Sequence, residues 1–559
     1  MTGFLELTMS RHHLTAAALA AALALIGAGS AQATTFCVPD YSAACPNNGT
    51  NVKLGSLETA MQANQSDGVK DTIHVAAGVI TESGSIETDS GAVDALEIIG
   101  AGPESTVVTT SSTGNIFVMN IEPGARAITM RNLTVRVPAS IPEDLGAAMQ
   151  AEGATLDNVD IDVRNDGGDG ISFVGGGTFV DGRIAASSGG ELGDAIRTNG
   201  AETGPLTVER SRIEAPSWGI YADSADVPVT VRRTVITDPL AYAVRVTAGG
   251  SVGMSNSVIT SQTARPITVL ATAGGGASFT GDHLTIVGLA GQSNPAVAVE
   301  VGTGVTASAS ALLVNSIVRS FPATYDRKAP VGGATGNATI GFQHSNFAPT
   351  GTSVGDGSVT SLTSINSDPK FVGSGTDPYR LLPSSPSIDR ANPAAGGLAV
   401  DLLGATRPRD GDADGTARSD QGAYEYQPPA PDLGSGPTAP ESGGTTDSGT
   451  TPAPGGTQPP APAPADTLAP KLTSLRLGKG LTRRRGGTIR FSLSEAARVE
   501  LRFTRGKRTV TLRVNGIAGA NTVKVAKRKL GAAAWRLPVV ATDAAGHRAS
   551  MARRVTVRR

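Results

Sequence analysis

Val208-Glu209-Arg210-Ser211-Arg212-Ile213 is followed 23 residues later by Val231-Arg232-Arg233-Thr234-Val235-Ile236, and after 23 more by Met254-Ser255-Asn256-Ser257-Val258-Ile259. Each stretch is an apolar residue, four residues, then a second apolar residue. The same figure extends outward through Met130 to Val135, Leu156 to Ile161, Phe179 to Ile184, Phe279 to Leu284, Leu312 to Ile317 and Phe342 to Phe347. The steps between first members are 26, 23, 29, 23, 23, 25, 33 and 30. A second seam keeps the same beat: Met149, Ile171, Ile196, Ile220, Val244, Ile267 and Val297, at steps of 22, 25, 24, 24, 23 and 30. Two phase-locked seams mark an internal repeat whose unit is one coil of a solenoid.

The unit holds short alternating runs and no helical stretch. Ile171-Ser172-Phe173, Ile220-Tyr221-Ala222 and Val244-Arg245-Val246 send every second side chain inward. The expected fold is therefore all-β: a right-handed parallel β-helix in which each strand pairs with its successor about 4.8 Å above. Small residues precede the second seam at Gly170, Ala195, Gly219 and Ala243. Asn132, Asn158 and Asn256 share one phase and are expected in an amide ladder at a turn. The abundance of glycine, 70 residues, and the 4% of aromatics suit short strands and tight turns.

Composition divides the 559 residues into four parts. Residues 1–33 read as a signal peptide: Arg11, His12 and His13 precede an apolar run from Leu14 to Gly29, and Ala31-Gln32-Ala33 offers a cleavage site. The run is near the lower limit for a span, and no later segment is apolar enough for one, so the mature chain is expected outside the cell, secreted or at its surface. Residues 34–426 form the β-helix. Residues 427–466, nearly all Pro, Gly, Ala, Ser and Thr, read as a disordered spacer. Residues 467–559 read as a small β-sandwich, with alternating runs such as Val499-Glu500-Leu501-Arg502-Phe503.

Charge separates these parts further. Residues 467–559 hold 23 Lys or Arg against Glu495, Glu500 and Asp543, a balance of +20; the whole chain carries −2, so the rest carries −22. A basic module outside the cell is expected to attract envelope glycopolymers or anionic lipid headgroups, with retention at the wall the preferred reading. Export and the lack of clustered stacking aromatics argue against nucleic acid. The mature chain's two cysteines, Cys37 and Cys45, are expected to form a local disulfide.

Ser56-Leu57-Glu58-Thr59-Ala60-Met61-Gln62-Ala63-Asn64 reads as a short amphipathic helix with Ser56 as N-cap, followed by a strand through Ile73-His74-Val75. In this the chain resembles secreted parallel β-helix proteins of the pectate-lyase-like superfamily, where a capping helix precedes the coils. Asp368-Pro369-Lys370-Phe371, Tyr379-Arg380-Leu381, Ser385-Pro386-Ser387-Ile388-Asp389, Asp401, Gly404, Arg407 and Asp420-Gln421-Gly422-Ala423-Tyr424-Glu425 resemble the terminal segment of choice-of-anchor bacterial surface proteins. The basic module is similar to the Ig-like domains that end many secreted bacterial proteins. The superfamily includes enzymes, adhesins and proteins of no assigned role, so fold alone leaves function open.

Its lyases, as the resemblance implies, use acidic calcium ligands and an Arg or Lys base. The nearest counterpart lies along the outward positions of the second seam: Ser172, Arg197, Tyr221 and Arg245, with Asp169 and Asp194 two residues before their anchors and Asn199, Asp223 and Glu300 three after. Such a face suits contact with an extracellular polysaccharide, and exposed charges on strands are ordinary without any ligand. The Asp and His motifs of polygalacturonase relatives are missing, and His283 is expected at the surface in a structural role. Asp410, Asp412 and Asp414, followed by Gly415, match the first half of an EF-hand loop, while Gln421 stands where its Glu belongs. No cofactor is required, and Ca²⁺ is the one candidate metal. The sequence thus favours a non-catalytic glycan-binding or adhesive protein; the alternative is a Ca²⁺-dependent polysaccharide lyase or hydrolase.

Overall fold

The computed structural model describes residues 33–428 and 472–557, apart from short stretches within each. Nearly all of the expected signal peptide and of the expected spacer lies outside the described residues. The chain divides into two compact units, residues 1–434 and 435–559. Among the described residues no helix is long and apolar enough to cross a membrane.

The first unit is a parallel β-helix. One face is an eleven-stranded sheet, and two further strips of parallel strands belong to a single 23-stranded sheet. The second seam lies wholly on the eleven-stranded face: Met149, Ile171, Ile196, Ile220, Val244, Ile267 and Val297 pair rung by rung. All seven are at most 1% exposed, so like aliphatic side chains stack on like along one inner wall. Close approach explains the small residues before the anchors: a Cβ on Gly170 would stand 2.2 Å from the Ala195 carbonyl oxygen, and one on Gly219 2.4 Å from that of Ala243.

The first seam holds from Met130 and Val135 to Met254 and Ile259, then slips. Met254 pairs with Gly281 and Val252 with Phe279, so Phe279 stacks one inward position early. Leu284 comes within 2.6 Å of where a Gly281 Cβ would stand and fills that space. Ile259 pairs with Ile286, which pairs with Val318; Leu312 lies in the outward phase, beside the inward Leu313 that pairs with Phe342.

The corner between these two strips repeats a left-handed residue on each rung: Asn132, Asn158, Asp181, Arg210, Arg233, Asn256, His283, Asn315 and His344 all have positive φ. Asn and Asp tolerate this conformation best, which explains the phase the asparagines share. The amide ladder forms in part, Asn158 Nδ2 donating to Asn132 Oδ1 at 2.7 Å. Beside it runs a hydroxyl ladder: Ser211, Thr234, Ser257, Ser316 and Ser345 each donate to the carbonyl two residues back. The hydroxyls of Ser211, Ser257, Ser316 and Ser345 also accept a backbone N–H from the rung below.

The N-terminal end is closed by the helix Leu57–Gln62, whose N-cap Ser56 accepts from Thr59 N at 3.1 Å and which buries Leu57, Ala60 and Met61. The strand Asp71–Val75 follows, and Cys37 is bonded to Cys45. At the other end Arg327 takes an inward position in register with Val299 and, only 3% exposed, donates to the carbonyls of Gly355 and Asp356.

The second unit pairs a three-stranded with a four-stranded antiparallel sheet around Phe491, Leu501, Phe503, Trp535 and Val539. The alternating runs read from the sequence supply this core.

Candidate functional site

The eleven-stranded face positions the outward residues by register alone. Ser172, Arg197, Tyr221 and Arg245 occupy one row on successive strands. A second row, three residues earlier and two before each seam anchor, carries Asp194, Trp218, Tyr242 and Arg265. Sequence reasoning placed Asp169 and Asp194 in that earlier phase but missed Trp218 and Tyr242. Continuing the same offset from Ile220 and Val244 reaches both.

Together the rows build an aromatic and cationic platform. The Arg245 guanidinium carbon lies 4.5 Å from the Trp218 ring centroid, 5.1 Å from Tyr242 and 5.5 Å from Tyr221; that of Arg197 lies 5.1 Å from Tyr221. Trp218 meets Tyr221 and Tyr242 edge to face, at 4.8 and 5.7 Å between centroids. Each contact adds fractions of a kcal/mol to about 2 kcal/mol, and together they hold the rings and guanidinium in place before any ligand arrives.

Beside the platform lies an open groove of about 570 Å³ lined by Gln150, Asp169, Asp194, Arg197, Asn199 and Asp223, among others. Arg197 is ion-paired with Asp223 at 2.9 Å, and Thr198 Oγ1 accepts the Asp223 N–H at 3.1 Å. The Asp194 N–H donates to Asp169 Oδ1 at 2.7 Å. Burial, then the neighbouring Asp169 charge, pushes the Asp194 carboxyl up to about 6. The site therefore has two halves: aromatic rings with forked cations, and a floor of carboxyl and amide groups that can accept or donate hydrogen bonds. All six residues singled out on this face from the sequence, Asp169, Asp194, Arg197, Tyr221, Asp223 and Arg245, meet here.

The acidic loop is assembled differently from the expectation. Carboxylate oxygens of Asp389, Asp410 and Asp412 lie within 4.8 Å of one another, a donor set a divalent cation could share. Asp414 is not among them; its Oδ1 accepts the Thr416 N–H at 2.7 Å. Asp389 takes its place: it is 5% exposed and accepts the N–H groups of Gly411, Asp412 and Arg418.

His283 also departs from the expectation. It is 2% exposed, and its Nδ1 stands 2.8 Å from Asp282. Burial, with the nearby Arg407 charge, holds its pKa below the ordinary value, so the ring is neutral at pH 7. The cover comes from the described residues of 385–392 and 399–425, which fold back along the left-handed corner. Leu402 and Val400 accept from Arg233 and Asn256, Ala423 donates to Thr285, Gly422 to Asn315 and Gln421 to His344. Arg407, with its side chain 1% exposed, binds Glu425 at 2.9 Å and Asn256 at 2.6 Å. The resembling terminal motif is therefore a buried ionic clasp.

No family model matches the chain, and no curated protein sequence matches it. Solved structures similar to it include three carbohydrate-acting proteins. The Aspergillus niger pectin methylesterase has 14% identity and a TM-score of 0.26, over 61% of this chain and 94% of its own. The A-module of the Azotobacter vinelandii mannuronan C-5 epimerase has 10% identity and a TM-score of 0.25, over 56% and 93%. The catalytic unit of the Streptomyces thermodiastaticus α-1,3-glucanase has 14% identity and a TM-score of 0.24, over 53% and 63%. At these values the likeness assigns no activity.

Proposed function

We propose that the protein is exported and holds an extracellular polysaccharide on its eleven-stranded face without turning it over, its basic second unit keeping it at the envelope. The observation that carries this reading is the convergence of Trp218, Tyr221 and Tyr242 with Arg197 and Arg245 beside the groove. Sugar rings pack on aromatic faces, guanidinium forks meet carboxylates in two-bond geometry, and the groove carboxylates accept sugar hydroxyls. A ligand along the rod axis meets repeats at about 4.8 Å, close to the length of one extended pyranose, so a chain is favoured over a single sugar. No cofactor takes part.

The test is a titration of the full chain with oligosaccharides from neutral and uronate-containing polymers, followed by tryptophan emission with a Trp218→Phe chain as the blank. The expected result is saturable binding that Tyr242→Ala and Arg245→Ala weaken, with neither new reducing ends nor unsaturated products. Unaltered affinity in both variants would overturn it.

The raised Asp194 carboxyl beside Asp169 favours a second reading, a lyase or hydrolase in which Asp194 exchanges a proton with the substrate. Product formation abolished by Asp194→Asn, with binding retained, would establish that reading over the first.

A further inference from the structure

The second unit carries the densest charge on the chain, and one of its sheet faces is where that charge is displayed. Of the 23 basic residues in 467–559, 17 are arginine. In the four-stranded sheet Val499, Leu501, Phe503, Leu537 and Val539 face the core. Alternation then sends Arg498, Arg502 and Arg536 to the opposite face, and all three are exposed. Backbone register sets Arg513 opposite Glu500, Arg548 opposite Thr542 and Arg554 opposite Arg536. Glu500 is the one acid among the described residues of this face, and Arg502 already pairs with it at 2.6 Å.

The chemistry of the occupant follows from the pattern. Neighbouring strands lie about 4.8 Å apart and same-face residues about 6.7 Å apart, so the backbone positions that carry these arginines form a grid. A compact anion meets one or two points of such a grid, whereas a polymer with a charge on each repeat meets many. Guanidinium forks match carboxylates in paired hydrogen bonds. The unit's tryptophan, Trp535, is 2% exposed in the core, and the described residues of the face offer no aromatic side chain. That leaves no anchor for a bilayer interface and no stacking platform for single-stranded nucleic acid.

We infer that this arginine-faced sheet binds a linear, carboxylate-bearing polysaccharide, held by ion pairs and paired hydrogen bonds to its guanidinium forks and without stacking contacts. The inference deepens the envelope-retention role given to this unit and does not depend on the platform of the β-helix. Its test measures the full chain on immobilised polygalacturonate over a range of salt. The variant Arg498→Glu/Arg502→Glu/Arg536→Glu is expected to bind roughly tenfold more weakly near physiological salt, with a shallower salt dependence. Arg490→Glu, exposed on the three-stranded sheet, leaves both unchanged. Should the triple variant fail to fold, the triple Arg→Ala variant serves in its place and is expected to shift in the same direction.

The same comparison is made in a chain that already carries Arg197→Ala and Arg245→Ala, where the triple variant is expected to lose affinity and salt slope as before, so failure of the β-helix reading and failure of this one are distinguishable. Unchanged affinity and salt slope in the triple variant would overturn the inference. So would tighter binding to anionic phospholipid vesicles or to single-stranded DNA than to polygalacturonate.

Discussion

Stacking between adjacent coils makes a quantitative demand on pairs of substitutions. Ile196 and Ile220 are both 0% exposed and are direct register partners, whereas Ile171 and Ile267 share the same inner wall four rungs apart. Each Ile→Ala change should cost about 2–5 kcal/mol, the transfer loss plus the cavity left behind. Ile196→Ala and Ile220→Ala enlarge one shared cavity, so the double variant should deviate from additivity by about 0.5–3 kcal/mol. Ile171 and Ile267 lie about 19 Å apart at 4.8 Å per rung, and their double variant should add to within about 0.5 kcal/mol. Urea denaturation of the full chain, with the β-helix transition followed by circular dichroism, measures each corner of both cycles. Equal coupling in the two pairs, or none between Ile196 and Ile220, would refute nearest-neighbour stacking as the source of the core's stability.

Three further outcomes are expected. Arg407→Ala strands Glu425 without its cation in a buried site and should lower stability by about 3–5 kcal/mol, read by denaturant midpoint; a loss under 1 kcal/mol would show the clasp to be dispensable. Asp194 holds its proton to about pH 6 when folded but loses it near the ordinary carboxylate value of about 4 when unfolded. The folded state therefore binds more protons over that window, stability falls as pH rises through it, and Asp194→Asn should flatten that slope in melting temperatures taken across it. Gly170→Val drives a side chain into the Ala195 carbonyl and should displace two rungs; a cost under about 1 kcal/mol would mean the rungs are less closely apposed than described.

The fold was legible because its core is written as repetition. Every anchor of the second seam lies in register with the next, since that wall is faced by solvent-side residues of a different character. The first seam misled beyond Met254 for two physical reasons. Gly281 falls in the apolar phase while Leu284 supplies the missing volume, and Ile317 is buried on its outer side too, by Leu381 and Ile388. Hydrophobicity could not say which side of that strand faced inward. The same clasp turned His283 from an expected surface residue into a buried one.

Half of the candidate site was legible in the same way. The charged residues stood out at fixed offsets from their anchors, but Trp218 and Tyr242, at the same offset, carry no charge to mark them. Their partnership with Arg245 arises only when neighbouring strands lie side by side. Asp389 joins Asp410 and Asp412 through a fold-back of the chain that no local motif announces.

Hydrogen exchange of the full chain with and without a bound oligosaccharide tests the central claim most directly. Within the β-helix the account predicts slowed exchange greatest in strands 192–199, 216–222 and 242–247, which carry the platform, and otherwise limited to strands 147–152 and 169–174, which complete the groove. Protection at the outer strips of the 23-stranded sheet, with the three platform strands unaffected, would contradict it.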